Sequence, residues 1–176
     1  MTLYVNTDGG SRGNPGPAGY GAVIADDDGR VLMEISVYIG EATNNVAEYS
    51  AVVDALETIA AHGGSENVLV RADSKLVVEQ LSGRWKIKNP AMQELALRAK
   101  RALPGHRVAY QWVPRAQNSA ADKLANEAMD SQSTRRSGAL PGGALPPPAP
   151  TAKPTPSASS VSAKAAPIEW DSDTLF

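Results

Sequence analysis

Residues 3–40, LYVNTDGGSRGNPGPAGYGAVIADDDGRVLMEISVYIG, decide the fold. LYVNTD (3–8), GYGAVIAD (19–26) and RVLMEISVYIG (30–40) read as three strands, with DDDG (26–29) as the turn between the second and third. Links this short favour an antiparallel meander. The first strand closes on one carboxylate, Asp8, and runs into GGSRGNPGPAG (9–19), read as a loop. Such a glycine content suits a phosphate cradle, a tight turn, or close approach of another molecule to the backbone. The Gly-Lys-Ser/Thr ending of a P-loop is absent, and a strand rather than a helix follows, which argues against a dinucleotide fingerprint.

Downstream, NNVAEYSAVVDALETIAAHGG (44–64) puts Ala47, Ala51, Ala55, Leu56 and Ile59 on one helical stripe and stops at a glycine pair. NVLVRAD (67–73) is a short β run. SKLVVEQLSG (74–83) and PAMQELALRAKRAL (90–103) read as helices, RVAYQWVP (107–114) as a fifth strand, and NSAADKLANEAM (118–129) as a last helix with Ala121, Leu124, Ala125 and Ala128 inward. The order βββαβααβα predicts an α/β fold, a five-stranded mixed sheet with helices packed on it. No internal repeat is visible.

The 176 residues, 42% hydrophobic and 20% charged, are ordinary for one globular domain with an appendage. With no cysteine there is no disulfide framework, thiolate zinc site or thiol nucleophile, which fits a reducing cytosol. The first residues lack the basic leader and apolar core of a signal peptide, and no apolar run is long enough for a bilayer. A cytoplasmic protein without a membrane partner is expected, and no sequence feature marks an oligomer interface. Net charge is −2, yet Arg84, Lys86, Lys88, Arg98, Lys100 and Arg101 face a single acid, Glu94, in a local basic stretch. The folded domain is expected over residues 1–130. Residues 131–176 carry eight of the 13 prolines with much Ala and Ser, and read as a disordered linker or tail. It either leads to a partner domain or ends as a docking peptide.

Four acids fall at junctions of this frame. Asp8 ends the first strand and Asp73 the fourth; Glu48 lies in the first turns of the long helix, and Asp122 near the start of the last. A crossover through the helix allows the first and fourth strands to be neighbours, which sets Asp8 beside Asp73. Four clustered carboxylates raise one another's pKa unless hard divalent cations compensate them, and oxygen-only ligands suit Mg²⁺ or Mn²⁺. The same acids also suit caps, turns and surfaces.

TDGGSRGNPGPAGYGAVI (7–24), TNNVAEYSAV (43–52), ADSKLVVEQL (72–81) and WVPRAQNSAADKLANEA (112–128) resemble, in order, the four signature blocks of type 1 ribonuclease H. The resemblance spans residues 2–130 and implies a ribonuclease H-like fold. It implies that Asp8, Glu48, Asp73 and Asp122 are the catalytic, metal-binding carboxylates. The implied reaction is endonucleolytic cleavage of the RNA strand of an RNA–DNA hybrid, giving 5′-phosphate and 3′-hydroxyl ends. Two Mg²⁺ ions, with Mn²⁺ as substitute, would act on the attacking water and the departing oxygen, Asp8 bridging both.

Substrate contacts implied by the same blocks are Gly9, Gly10 and Asn14 along the minor groove, Thr43, Asn44 and Asn45 at the helix start, Ser74 beside Asp73, Trp85 stacking on the DNA strand, Lys86 in a small basic patch, Arg115 at the scissile phosphate, and Asn118. Two departures stand out. The family's loop histidine is missing, Arg115 lies nearest its place, and His62 and His106 fall elsewhere. The lysine-rich helix of longer relatives is reduced to GRWKIKNP (83–90), a compact form for which double-stranded RNA is a second candidate substrate. Rival readings are a non-catalytic hybrid-binding module, or an accessory domain of a larger bifunctional protein, for example with a phosphatase domain.

Overall fold

A computed structural model describes residues 1–142, folded in the order β1 (Thr2–Ser11), β2 (Gly16–Ala25), β3 (Val31–Ala42), α1 (Asn44–Ala61), β4 (Asn67–Ala72), α2 (Lys75–Leu81), α3 (Pro90–Ala102), β5 (Arg107–Trp112), α4 (Ser119–Ser131) and β6 (Arg135–Gly138). The sheet order is β5-β4-β1-β2-β3-β6. β1, β2 and β3 form the expected meander, while β4 runs parallel to β1 after the α1 crossover, and β5 parallel to β4.

Local chemistry starts each helix. The Thr43 hydroxyl accepts from the Val46 amide at 3.3 Å, the Ser74 hydroxyl from Val77 at 3.4 Å, and Asn89 caps α3 ahead of Pro90. The alanine stripe of α1 is fully buried, and with Tyr49, Val52, Leu56 and Ile59 it packs on Leu3 and Val5 of β1. The stripe of α4 (Ala121, Leu124, Ala125, Ala128) buries against the other face, chiefly on β2.

Glycine lets the helices come close. A Cβ on Gly9 would overlap the backbone of Ala47 and Glu48 in α1. A Cβ on Gly21 would lie 2.5 Å from the Ala121 carbonyl and the Leu124 Cβ of α4. The glycine-rich segment is therefore mostly strand, not the expected loop. β1 continues to Ser11 and β2 begins at Gly16, joined by an Arg12 N–H to Pro17 carbonyl bond of 2.8 Å.

Two expectations are corrected. The sheet has six strands, not five, because RRSG (135–138) pairs antiparallel with the free edge of β3. The folded chain also passes residue 130: α4 ends at Ser131, β6 follows, and Leu140 is buried in the core. β6 shows no apolar alternation, so periodicity missed it. It is held by Arg136, whose guanidinium reaches Asp54 of α1 at 2.6 Å, while Asp54 also accepts from the Tyr20 hydroxyl at 2.8 Å. Residues 143–176 of the expected tail lie outside the described residues. Among those described, no helix is long and apolar enough to cross a membrane.

Candidate active site

The sheet brings the acids together at one rim. In the β1–β4 register Thr7 faces Ala72, so the next residues lie side by side: Asp73 just past the end of β4, and Asp8 not at the end of its strand as expected but within β1, which runs on to Ser11. Gly9 admits the first turns of α1, which carry Glu48 over the same rim. From the opposite face α4 brings Asp122 in its first turn. One oxygen each from Asp8, Glu48 and Asp73 lies within 4.8 Å of the others. Asp122 completes the quartet at the edge: its charge bears on Asp8, and its Oδ1 takes a 2.8 Å ion pair from Arg115.

This crowding is electrostatically uncomfortable. Burial, followed by the charges of Asp73 and Asp122, pushes the Asp8 carboxyl up to about 7; the Gly9 amide opposes this. Burial, then Asp8 and Asp73, holds Glu48 well above the carboxylate range, against the Gly9 amide and Arg115. The Glu48 Oε2 is buried without a hydrogen-bond partner. An orphaned oxygen among crowded carboxylates is what a hard cation would relieve, and an all-oxygen donor set suits Mg²⁺ or Mn²⁺. The residues fit that group.

The acids lie in an open cleft of about 530 Å³. Gly9, Gly10, Asn44, Asn45, Ser74 and Arg115 line it. Asn14 and Thr43 stand behind that wall: the Asn14 Oδ1 accepts from the Asn44 amide at 3.1 Å, pinning the hairpin tip to the start of α1, and Thr43 caps the helix. Trp85, 46% exposed, and Lys86 do not line the cleft. They sit past α2 on a turn braced by Gln80, whose amide donates to the Lys86 carbonyl at 3.0 Å and whose oxygen accepts from the Tyr49 hydroxyl at 2.7 Å.

Asn118 departs from expectation. It is 1% exposed and offers substrate no surface. Its amide donates inward to the Thr7 carbonyl at 2.9 Å and to the Asp73 Oδ1 at 3.2 Å. Neither histidine joins the site: the buried His62 sets Nδ1 against the Thr58 carbonyl at 2.8 Å, and the exposed His106 stacks by Gly64. The sequence reading missed one wall of the cleft, formed by Arg12 of the β1–β2 connection with Asn126 and Met129 of α4. Arg12 is tied to Asp130 at 2.7 Å and to Asn126 at 3.1 Å. Asn126 and Met129 follow Asp122 by four and seven residues, the helical spacing that could have flagged them.

Comparison with known proteins places the chain in one family. Residues 6–128 match a family model described as reverse transcriptase-like. A protein of Mycobacterium tuberculosis named "Bifunctional protein Rv2228c" is 52% identical over 132 residues, covering 74% of this chain but 36% of that protein, so the chain spans about a third of such relatives. The protein named "Ribonuclease H" of Roseobacter denitrificans is 34% identical over 145 residues, covering 72% of this chain and 95% of its own. Among solved structures, LC11-RNase H1 in complex with an RNA/DNA hybrid superposes with a TM-score of 0.70 at 43% identity, over 74% of this chain and 98% of that one.

Proposed function

Because this chain belongs to the ribonuclease H family, we propose that its cleft cuts the RNA strand of an RNA–DNA hybrid endonucleolytically, leaving 5′-phosphate and 3′-hydroxyl ends. The observation that carries this reading is the convergence of the Asp8, Glu48 and Asp73 oxygens within 4.8 Å, beside Asp122, in a cleft open to a polymer. These four side chains would hold two Mg²⁺ or Mn²⁺ ions, which supply Lewis acidity to the attacking water and the departing oxygen. Asn44 and Asn45, at the start of α1, meet a phosphate or ribose with helix-start amides and short polar side chains. Arg115 is mostly exposed, anchored on Asp122 and free to reach the scissile phosphate from the side where relatives carry a histidine. The ribose 2′-hydroxyl tells the RNA strand from DNA. Trp85 and Lys86, outside the cleft, give the DNA strand a stacking surface and a phosphate contact.

Within the longer polypeptide that its relatives suggest, this domain would act as a tethered nuclease in the cytoplasm, needing no second copy. A silent hybrid-binding module would have no use for four crowded carboxylates, two of which are raised above the ordinary carboxylate value by burial and by the charge of neighbouring acids. Matched RNA–DNA, RNA–RNA and DNA–DNA duplexes, incubated with and without Mg²⁺, test the reading. Cleavage of the hybrid's RNA alone, and only with metal, is expected; cutting of RNA–RNA would widen the substrate class, and metal-independent cutting would overturn the mechanism.

A further inference from the structure

Asp73 differs from its neighbours in how it is held. Asp8 belongs to β1, and Glu48 and Asp122 to helices, but Asp73 lies past the end of β4 and before α2, in a bend that no ladder or helix fixes. Its main chain is clamped from β5, where the Trp112 indole N–H donates to the Asp73 carbonyl at 3.1 Å. Its carboxylate is clamped by Asn118. The Asn6 side-chain amide donates to the Asn118 Oδ1 at 3.1 Å, which decides which way the Asn118 amide faces. Both Asn118 N–H groups must then point at the Thr7 carbonyl and the Asp73 Oδ1. Asn118 occupies the N-cap position of α4, yet its side chain makes no capping bond. It forgoes the usual role of asparagine there and spends every one of these contacts on the gap between β1 and β4.

We propose that Asn118 is a positioning residue: it turns the Asp73 carboxylate so that Oδ2 faces the cation site, and it does not touch substrate. The assignment rests on reading the cleft as a divalent-metal site. A neutral donor on one carboxylate oxygen fixes the direction of the other without cancelling its charge, which is how outer partners hold metal ligands in register.

The test is calorimetric titration of the protein with Mn²⁺ alone, followed by steady-state kinetics on a hybrid. Asn118→Ala is expected to weaken Mn²⁺ binding about tenfold and to lower kcat at limiting metal, with recovery at excess metal and an unchanged KM for the hybrid. An unchanged Mn²⁺ affinity, or a raised KM with metal binding intact, overturns the assignment. In an Asp73→Asn background the same substitution should alter Mn²⁺ affinity less than about twofold; a full loss there would prove a route other than Asp73 and also overturn it. Should Asn118→Ala not fold, Asn6→Ala carries the test, since it removes the partner that fixes the Asn118 amide, at the further loss only of a 3.4 Å bond to the Gln117 carbonyl: about threefold weaker Mn²⁺ binding supports the assignment and wild-type affinity refutes it. A wild-type protein that binds no Mn²⁺ defeats the cleft reading, and the role of Asn118 with it, whereas binding that ignores Asn118 defeats the role alone.

Discussion

Replacing Asp8 by Asn should stabilise the metal-free protein while abolishing its chemistry. The native Asp8 carboxyl is raised from 3.8 to about 7, chiefly by burial. The folded state therefore holds this proton more tightly than the unfolded chain does, and the stability Asp8 contributes is complete below pH 4 and lost as pH rises towards 7. A difference of about three pKa units corresponds to about 4 kcal/mol of penalty above neutrality, and water in the open cleft reduces what is realised to about 2–4 kcal/mol. Asn carries no charge, so Asp8→Asn removes this cost. In EDTA at about pH 8 the urea midpoint should rise by about 1–2 M and the melting temperature by about 5–10 °C. Near pH 4.5, where native Asp8 already holds its proton, the gain should shrink to about 1 kcal/mol. Saturating Mg²⁺ should stabilise the wild type more than the variant. A variant no more stable than wild type in EDTA at high pH would refute the electrostatic reasoning, and a gain independent of pH would assign the effect to packing instead.

Arg115→Ala should slow hybrid cleavage about tenfold or more while leaving urea stability within about 0.5 kcal/mol, because the side chain is mostly exposed and pairs only with Asp122; an unchanged rate removes it from the mechanism. Gly21→Ala forces a methyl group against Ala121 and Leu124, and urea titration should show a loss of about 1–3 kcal/mol, with weaker Mn²⁺ binding as α4 carries Asp122 away from the rim. Arg136→Met leaves the half-buried Asp54 without its cation and should cost about 1–3 kcal/mol in the same assay, while kcat at low temperature stays at the wild-type value. Replacing Lys86 and Lys88 by Ala should weaken hybrid binding and flatten its salt dependence by up to about two units of slope, measured by fluorescence anisotropy across a salt series.

The four acids were legible because each sits near a local signal for an element's boundary, although β1 in fact runs past Asp8 to Ser11. A period-2 run stops at Asp8, another at Asp73, and the polar starts of two amphipathic helices fix Glu48 and Asp122 within a turn. Their convergence then needed only the parallel pairing of β1 with β4. What escaped the sequence is whatever depends on a partner far along the chain. RRSG has no strand signature of its own; it is a strand because β3 leaves an edge open and Asp54, 82 residues upstream of Arg136, awaits a cation. Asn118 reads locally as a cap, and only the closeness of Asn6 and Asp73 turns it inward.

The glycines show the same limit and also close the argument. Sequence reports a missing side chain but not what takes its place. Read alone, Gly9 and Gly10 suggested a surface laid bare for substrate; in the fold, the space a Gly9 side chain would fill belongs to α1, and that of Gly21 to α4, with Gly10 facing Met129 of the same helix. An alanine at either Gly9 or Gly21 would push a helix away from the sheet, and each helix carries one member of the quartet. The glycine-rich stretch and the acids are thus one device. Strands without side chains at two points let two helices settle close enough for Glu48 and Asp122 to meet Asp8, so the distance between carboxylates, on which any shared cation depends, is set by residues that have no chemistry of their own.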